Sequence, residues 1–375
     1  MDKNHEIYVD LKRKPKEMKK TALIALLFLF FFLVSVNLYS EKTIELNLKK
    51  VLEIGKGDLI FSSITSVYED RGNNFFVLDQ KACKVYKFSP EGKLLLSFGE
   101  KGRGPGDFES PHDLFVTDSG EIIVSEDRSY VSFFDKDGEF LKRLVLNRGL
   151  ALTYLSEDLY YAWIWEPVQR KQILIDSNSD IVNSFFTVSK DSHSISLPDE
   201  TGRMVMFNYS AEEYTPFLLF SRYKNRSAIG VGNIYEISIL DEKGAVVSKI
   251  KRNIKPQKLN SKEKEYLRKK IGEMRNWPDW VLKKIEKRIP KVKSYFDKIV
   301  VAEKYVFVFR TKNDVTDEQS LIPVDIFTMD GKFLGTSKIS IKPILISDKF
   351  FYFSEIDPDD DLTLTKYRYH STEFK

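Results

Sequence analysis

The segment Val131-Ser-Phe-Phe-Asp-Lys-Asp-Gly-Glu-Phe140 decides the fold, because its pattern recurs along the chain. Apolar and polar residues alternate, a polar turn containing glycine follows, and a second apolar strand begins. Glycine in such a turn supplies the positive φ that a tight hairpin requires. Further copies are Val85–Leu94, Ile173–Ile181 (which lacks the glycine), Ile237–Val246 and Val324–Phe333.

A second hairpin with a polar turn precedes each copy of the first. These upstream hairpins are Ser66–Asp79, Asp113–Glu126, Leu152–Trp165, Phe217–Val231, Ile299–Arg310 and Ile344–Glu355. Two hairpins make a four-stranded antiparallel sheet of about 40 residues, which is the length of a propeller blade. The sequence therefore predicts an all-β, six-bladed β-propeller over residues 41–375. The alternatives are a ring of five or seven blades, two unrelated β-domains, or a β-sandwich, which rarely needs more than about nine strands.

The last of the six units is one strand short, because it ends with Leu364–Tyr369. Residues Thr43–Leu52 show the alternation of a β-strand and belong to no unit. We predict that they supply the missing strand and close the ring, since an open edge strand is a template for aggregation. Residues 189–214 are predicted to be an irregular connection between the third and fourth units.

The N-terminus has the pattern of an export signal. Residues 1–20 form a basic flank, and Thr21–Leu38 is an uncharged run of 18 residues. Such a run after a basic flank directs export, and it is just long enough to span a bilayer. Two alternatives stay open for residues 21–40. If Met18 is the true start, they form a cleaved signal peptide. If Met1 is the start, residues 21–38 anchor the protein in the inner membrane. Either predicts a periplasmic or extracellular propeller.

One connection between units resembles a known family. Phe98-Gly-Glu-Lys-Gly-Arg-Gly-Pro-Gly-Asp-Phe-Glu-Ser-Pro-His-Asp-Leu114 is similar to the loop between blades of NHL-type six-bladed propellers. Its glycines (Gly99, Gly102, Gly104 and Gly106) are expected to let the backbone turn sharply. Phe108 is expected to fill the space between blades, and Pro111 to stiffen the entry into the next strand. The whole chain also resembles exported bacterial six-bladed propeller proteins with a helical insertion late in the ring. That resemblance implies the fold but does not indicate any activity.

The insertion is residues 255–298. It holds 15 Lys and Arg against 6 Asp and Glu, a net charge of +9, whereas the whole chain carries +4. Ser261 is predicted to cap a first helix, and Asp279 to begin a second. The apolar side chains expected to dock these helices are Leu267, Ile271, Trp277, Trp280, Val281 and Ile285. The sequence leaves open whether the insertion is a solvated hairpin, a lid, or a basic surface for a partner or for anionic lipid.

Ligands of propellers bind at the mouth of the central channel, on the connections between strands. The candidate ligand-binding residues there are Asp79, Arg103, His112, Asp127, Arg128, Trp165 and Arg310. These residues form a rim of mixed charge, which suits a polar ligand but which any propeller rim would present.

Catalytic chemistry has little support in the sequence. Among the four histidines only His112 is expected near the channel, which argues against a zinc site built from several histidines. Calcium, which prefers oxygen ligands, has four candidates without a distinctive spacing: Asp79, Glu126, Asp127 and Asn233. The single cysteine, Cys83, is interpreted as a packed strand residue.

Three functions remain. The first is a non-enzymatic binding or scaffold propeller that recognises a protein, peptide or glycan through its rim. The second is a calcium-dependent hydrolase or lyase with its site in the channel. The third is an accessory subunit of an envelope complex that docks through the basic insertion. Nucleic acid is not an expected partner, because export separates the protein from it.

Overall fold

The computed structural model describes residues 42–57, 59–126, 129–147, 150–166, 169–189, 194–198, 203–208, 218–275, 278–287, 289–317 and 319–370. Residues 43–375 form one compact unit. No helix in the described ranges is long and apolar enough to cross a membrane. The predicted basic flank 1–20 and the signal or anchor 21–40 lie outside these ranges, so both stay predictions.

Within the described ranges the strands form six four-stranded antiparallel blades. Blade 1 contains β2 (Ile64–Glu69), β3 (Phe75–Asp79), β4 (Lys84–Phe88) and β5 (Leu94–Phe98). Blade 2 contains β6 (Pro111–Val116), β7 (Ile122–Glu126), β8 (Tyr130–Phe134) and β9 (Phe140–Val145). Blade 3 contains β10 (Leu150–Ser156), β11 (Leu159–Trp165), β12 (Gln169–Asp176) and β13 (Ile181–Ser189).

The second half of the ring repeats this order. Blade 4 contains β16 (Leu218–Tyr223), β17 (Arg226–Val231), β18 (Glu236–Leu240) and β19 (Val246–Lys251). Blade 5 contains β20 (Phe296–Val301), β21 (Tyr305–Arg310), β22 (Ile322–Thr328) and β23 (Phe333–Ile339). Blade 6 contains β24 (Leu345–Ile346), β25 (Phe350–Ile356), β26 (Leu362–His370) and, from the start of the chain, β1 (Asn47–Ile54).

The ring closes as predicted. Strand β1 pairs antiparallel with β26, from Asn47 opposite His370 to Ile54 opposite Leu364. The strand begins later than Thr43 because the preceding residues pair elsewhere: Ile44 N donates to Thr336 O in blade 5 at 2.9 Å. Ring closure therefore joins the start of the chain to two neighbouring blades.

Aromatic side chains hold the blades together. Every interface between neighbouring blades contains a ring pair with centroids 4.3–5.7 Å apart: Tyr68–Phe115, Phe115–Tyr154, Tyr161–Phe220, Tyr235–Phe296, Phe307–Phe351 and Tyr352–Phe75. Such pairs add about 0.5–1.5 kcal/mol each beyond the apolar area that they bury. Aromatic side chains also pair within single blades, for example Phe75 with Phe88 and Phe353 with Tyr367.

The hairpin turns confirm the repeat, including the copy without glycine. Gly138 N donates to Asp135 O at 3.1 Å, and Ser179 N donates to Asp176 O at 3.0 Å in the corresponding turn of blade 3. Ser179 adopts φ 69°, where Gly138 has φ 84°. The backbone geometry is retained although a residue with a side chain must adopt a strained φ.

Two local predictions need correction. Residues 189–214 are not wholly irregular, because β14 (Ser194–Pro198) and β15 (Met204–Asn208) form a two-stranded antiparallel sheet. In the loop after β5, Gly99 and Gly106 have positive φ, but Gly102 and Gly104 do not. A methyl group on Gly102 or Gly104 would collide with the side chain of Asp107, so these two glycines provide space.

The insertion contains two helices, α1 (Ser261–Arg275) and α2 (Asp279–Glu286). The predicted starts are confirmed, but the cap of α1 is Asn260. Asn260 Oδ1 accepts from Glu263 N at 2.9 Å, while Glu263 Oε2 accepts from Asn260 N at 3.1 Å. This reciprocal arrangement is a capping box, and it leaves Ser261 as the first helical residue. Leu267, Val281 and Ile285 are buried as expected, whereas Trp280 is 41% exposed. The side chains of Ile271 and Trp277 lie outside the described part.

Candidate functional site: the central channel and the helical insertion

The inner strands of the six blades surround a central cavity of about 500 Å³. Its walls combine apolar residues such as Leu218, Ile299 and Leu345 with polar residues such as Asp113 and Arg222. Tyr161 and Trp163 also line the cavity, although they belong to β11, the second strand of blade 3. The cavity therefore extends towards blade 3 beyond the ring of inner strands.

An ion pair crosses this cavity between blades that are not neighbours. Arg222 Nη2, on β16 of blade 4, lies 3.4 Å from Asp113 Oδ2, on β6 of blade 2. The guanidinium carbon lies 3.9 Å from the ring centroid of Phe115. Burial lowers the pKa of Arg222, since low polarity disfavours its charged form. Asp113 Oδ1 is also 3.4 Å from the hydroxyl of Ser66.

Other polar groups of the cavity bond to the protein. His112 Nε2 donates to Leu152 O at 2.7 Å, which ties blade 2 to blade 3. Asp297 Oδ2 accepts from Lys342 Nζ at 2.6 Å. Burial raises the pKa of Tyr68 to about 12, so its phenol is neutral at ordinary pH. Of the predicted rim residues whose side chains the structure describes (Asp79, Arg103, His112 and Arg310), only His112 lines this cavity.

Asp79 lies at the end of β3 and holds the backbone. Its Oδ2 accepts from Ser62 N at 2.6 Å, and its Oδ1 accepts from Ser63 N at 2.9 Å and Ala82 N at 3.1 Å. Glu126, at the end of β7, accepts in the same way from Glu109 N at 2.7 Å. In blades 1 and 2 an acidic residue at the end of the second strand thus fastens the chain that enters the blade.

We expect Asp79→Ala to destabilise the protein by about 2 kcal/mol, since it removes the charge-assisted hydrogen bonds that three backbone N–H groups make to the buried carboxylate. Urea unfolding measures the change. Asp79→Asn is the matched variant, because its amide oxygen can still accept, and it should lose less. Equal stability of Asp79→Ala and the wild type would contradict the assignment.

The two remaining rim candidates that the structure describes, Arg103 and Arg310, contact different partners. Arg103 is exposed and pairs with Glu109 at 2.7 Å on the loop before β6. Arg310 lies at the end of β21, with Nη1 3.8 Å from the buried carboxylate of Asp325. Asp325 also accepts a hydrogen bond from the hydroxyl of Tyr235 and forms an ion pair with Arg252. Asp127, Arg128 and the side chain of Trp165 lie outside the described part.

Two of the four calcium candidates, Asp79 and Glu126, bond to backbone amides of different blades. Asn233 lies between β17 and β18, and Asp127 lies outside the described part. Among the described residues, no group of three or more His, Cys, Asp or Glu could hold a metal ion.

A further cluster of buried polar residues lies where blade 6 meets blade 1. There the hydroxyl of Tyr352 donates to the carboxylate of Glu69, beside Lys366. Burial raises the pKa of Glu69 and lowers that of Lys366.

The insertion presents a basic outer surface, here called the basic surface. Its exposed cationic side chains are Lys255, Lys258, Lys262, Lys264, Arg268, Lys269, Lys283, Lys284, Lys287 and Lys291. Exposed acidic side chains described in the same segment are Glu265, Asp279 and Glu286. Two exposed aromatic residues lie among them, Tyr266 on α1 and Trp280 on α2, 38% and 41% exposed. Lys270 and Lys284 lie over these two rings.

A buried ion pair connects the basic surface to blade 5. Lys293 Nζ contacts Glu263, and both side chains are 1% exposed. Lys293 also donates to Asn313 O at 2.6 Å, in the loop between β21 and β22. Glu263 Oε1 accepts from Val315 N in that loop at 3.4 Å. The helices are therefore fixed to the ring.

The comparisons with known proteins agree with this architecture. Residues 52–212 match the family model DUF5128, described as a six-bladed β-propeller. A solved structure from Bacteroides fragilis, described as an exported protein, is similar with a TM-score of 0.50 and 13% identity. The match covers 88% of this chain and 96% of the Bacteroides fragilis chain. At this identity the likeness shows the fold alone.

Two further solved structures are similar. A member of the DUF4221 family from Bacteroides vulgatus has a TM-score of 0.49 and 13% identity, over 88% of this chain and 99% of that chain. Virginiamycin B lyase from Staphylococcus aureus has a TM-score of 0.42 and 12% identity, over 86% of this chain and 99% of the lyase chain. No curated protein matches the sequence.

Proposed function

We propose that this chain, a six-bladed β-propeller, is an extracytoplasmic binding protein without catalytic activity that recognises an acidic protein or peptide at the basic surface. The observation that carries the proposal is the set of exposed cations around Tyr266 and Trp280. Aromatic residues and arginine are enriched at the centres of protein interfaces, and complementary charge sets partner choice and association rate.

The rigidity of the insertion supports this proposal. Lys293 and Glu263 fix it to blade 5, and Arg268 lies 3.8 Å from Glu286, which links α1 to α2. A pre-ordered surface loses less conformational entropy on binding than a flexible one. The export pattern of residues 1–40 supports an extracytoplasmic location, with the membrane reached through residues 21–38 if this segment is retained.

Charge reversal tests the basic surface. The variant replaces Lys262, Lys264, Lys283 and Lys284 with Glu, and the probe is poly-L-glutamate, titrated at low salt. Loss of four exposed pairs, at roughly 0.5 kcal/mol each, amounts to about 2 kcal/mol or thirtyfold in affinity. We expect the variant to bind at least thirtyfold more weakly, and the wild type to lose affinity with rising salt.

The control reverses four exposed lysines elsewhere on the propeller: Lys93, Lys136, Lys338 and Lys349. This variant has the same net charge, and its affinity should stay within threefold of the wild type. Affinity capture from solubilised membranes with the wild type and both variants then identifies the partner. Equal weakening of both variants, or stronger binding to phosphatidylglycerol vesicles than to poly-L-glutamate, would count against an acidic protein partner.

A further inference from the structure

We infer that the central cavity is a binding site for a small molecule with a carboxylate and an apolar body, with Arg222 as the residue that holds the carboxylate. This site is separate from the basic surface, since the residues that line the cavity come from the inner strands and their neighbours and include none from α1 or α2.

The charge of Arg222 is incompletely satisfied by the protein. Its side chain is 5% exposed, and its ion pair with Asp113 is a single contact of 3.4 Å. Among the residues that the structure describes, no acceptor bonds to Arg222 Nη1, although this atom is buried. A buried guanidinium is costly unless its N–H groups are paired, so an acceptor entering the cavity would be bound favourably.

The surroundings of Arg222 favour an anion over a cation. Asp113 is 25% exposed and makes a single 3.4 Å contact with Arg222, while Asp297 pairs with Lys342 at 2.6 Å. Lys298 adds a further cationic residue to the lining. The planar guanidinium offers parallel N–H groups, whose geometry matches the two oxygens of a carboxylate.

The size and walls of the cavity set the rest of the ligand. Its volume of about 500 Å³ lies in the range of small-molecule sites, about 300–1,000 Å³. Leu218, Ile299 and Leu345 offer apolar contact, and Trp163 lies half-buried in the wall. A compact aromatic or branched aliphatic carboxylate fits this combination of apolar walls and one incompletely paired guanidinium.

Calorimetric titration of the full chain with phenylacetate, indole-3-acetate and butyrate tests the site. We expect saturable binding of at least one of them, and at least tenfold weaker binding of the matching amide (phenylacetamide, indole-3-acetamide or butyramide). Arg222→Lys should weaken carboxylate binding at least tenfold, because a lysine cannot offer the paired N–H groups. Asp113→Asn should strengthen it at least threefold, because it removes the carboxylate that competes for Arg222.

Arg222→Lys should weaken carboxylate binding and Asp113→Asn should strengthen it. These opposite changes in affinity separate a binding role of Arg222 from a structural one. If Arg222→Lys fails to fold, Asp113→Asn still decides the matter, and unchanged or weaker binding by it overturns the inference. Absence of saturable binding by all three carboxylates also overturns it. The charge-reversal variant of the basic surface should bind the carboxylates normally, so this inference and the proposed function can fail independently.

Discussion

Replacing Lys293 with methionine is expected to lower the free energy of unfolding by about 3–5 kcal/mol, the usual cost of leaving one partner of a buried ion pair unpaired. Lys293 and Glu263 are both 1% exposed, so water cannot replace the lost partner. The backbone oxygens of Lys312 and Asn313, which accept from Lys293 Nζ at 3.2 and 2.6 Å, lose their donor as well.

A double variant serves as the control for this prediction. Lys293→Met/Glu263→Gln removes both charges, and the single Gln amide oxygen can still accept from Asn260 N or from Val315 N, which bond to different oxygens of Glu263. We expect it to recover more than half of the loss, measured by urea unfolding. Hydrogen exchange should quicken in α1 and α2 of the single variant before it quickens in the blades. A loss below about 1 kcal/mol, or no recovery in the double variant, would show that the pair does not anchor the insertion.

The second large effect is expected for Gly99→Ala, in the loop that resembles the NHL-type signature. Gly99 has φ +87°, which costs an L-residue about 1–2 kcal/mol. An added methyl would collide with the ring of Phe108 and lie 3.0 Å from Cys83 O. Phe108 is fully buried and packs on Phe134 with ring centroids 5.6 Å apart, so it has little room to move. Overpacking adds about 1–3 kcal/mol, so the total loss should be about 2–5 kcal/mol.

Gly57→Ala separates backbone strain from crowding. Gly57 has φ +68°, but an added methyl would meet nothing within 4 Å. We expect this control to lose only about 1–2 kcal/mol, the backbone part of the cost. Thermal and urea unfolding of the two variants compare them directly. If both lose the same amount, Phe108 is not the tight plug between blades that the structure shows.

The repeat could be read from the sequence because each hairpin uses local rules. Alternation places side chains on opposite faces of a strand, and the turn chemistry at Gly138 marks where the chain reverses. The ring closure by β1 was also predictable, because the sixth unit had only three strands and the strand near the start of the propeller belonged to no unit. The cap of α1 was mispredicted because Asn260 and Ser261 are adjacent and both are good caps.

The candidate sites were harder to predict, because a polar residue at a strand end has the same sequence pattern whether it faces a ligand or the backbone. Asp79 looked like a rim ligand, and the structure shows its carboxylate bonded to three backbone amides. Arg222 lies within an otherwise ordinary strand, and its partner Asp113 is 109 residues earlier. The only local signal was a cation near the end of a mostly apolar inner strand, Leu218–Tyr223.

The sequence by itself determined the blade, the number of blades, the strand that closes the ring and the basic charge of the insertion, because these follow from periodicity, turns and composition. Only the tertiary structure decided which polar groups meet. The pairing of Arg222 with Asp113 and of Lys293 with Glu263 depends on how the ring curves and where the insertion rests. Those distances come from the packing of whole blades, and no local spacing along the chain encodes them.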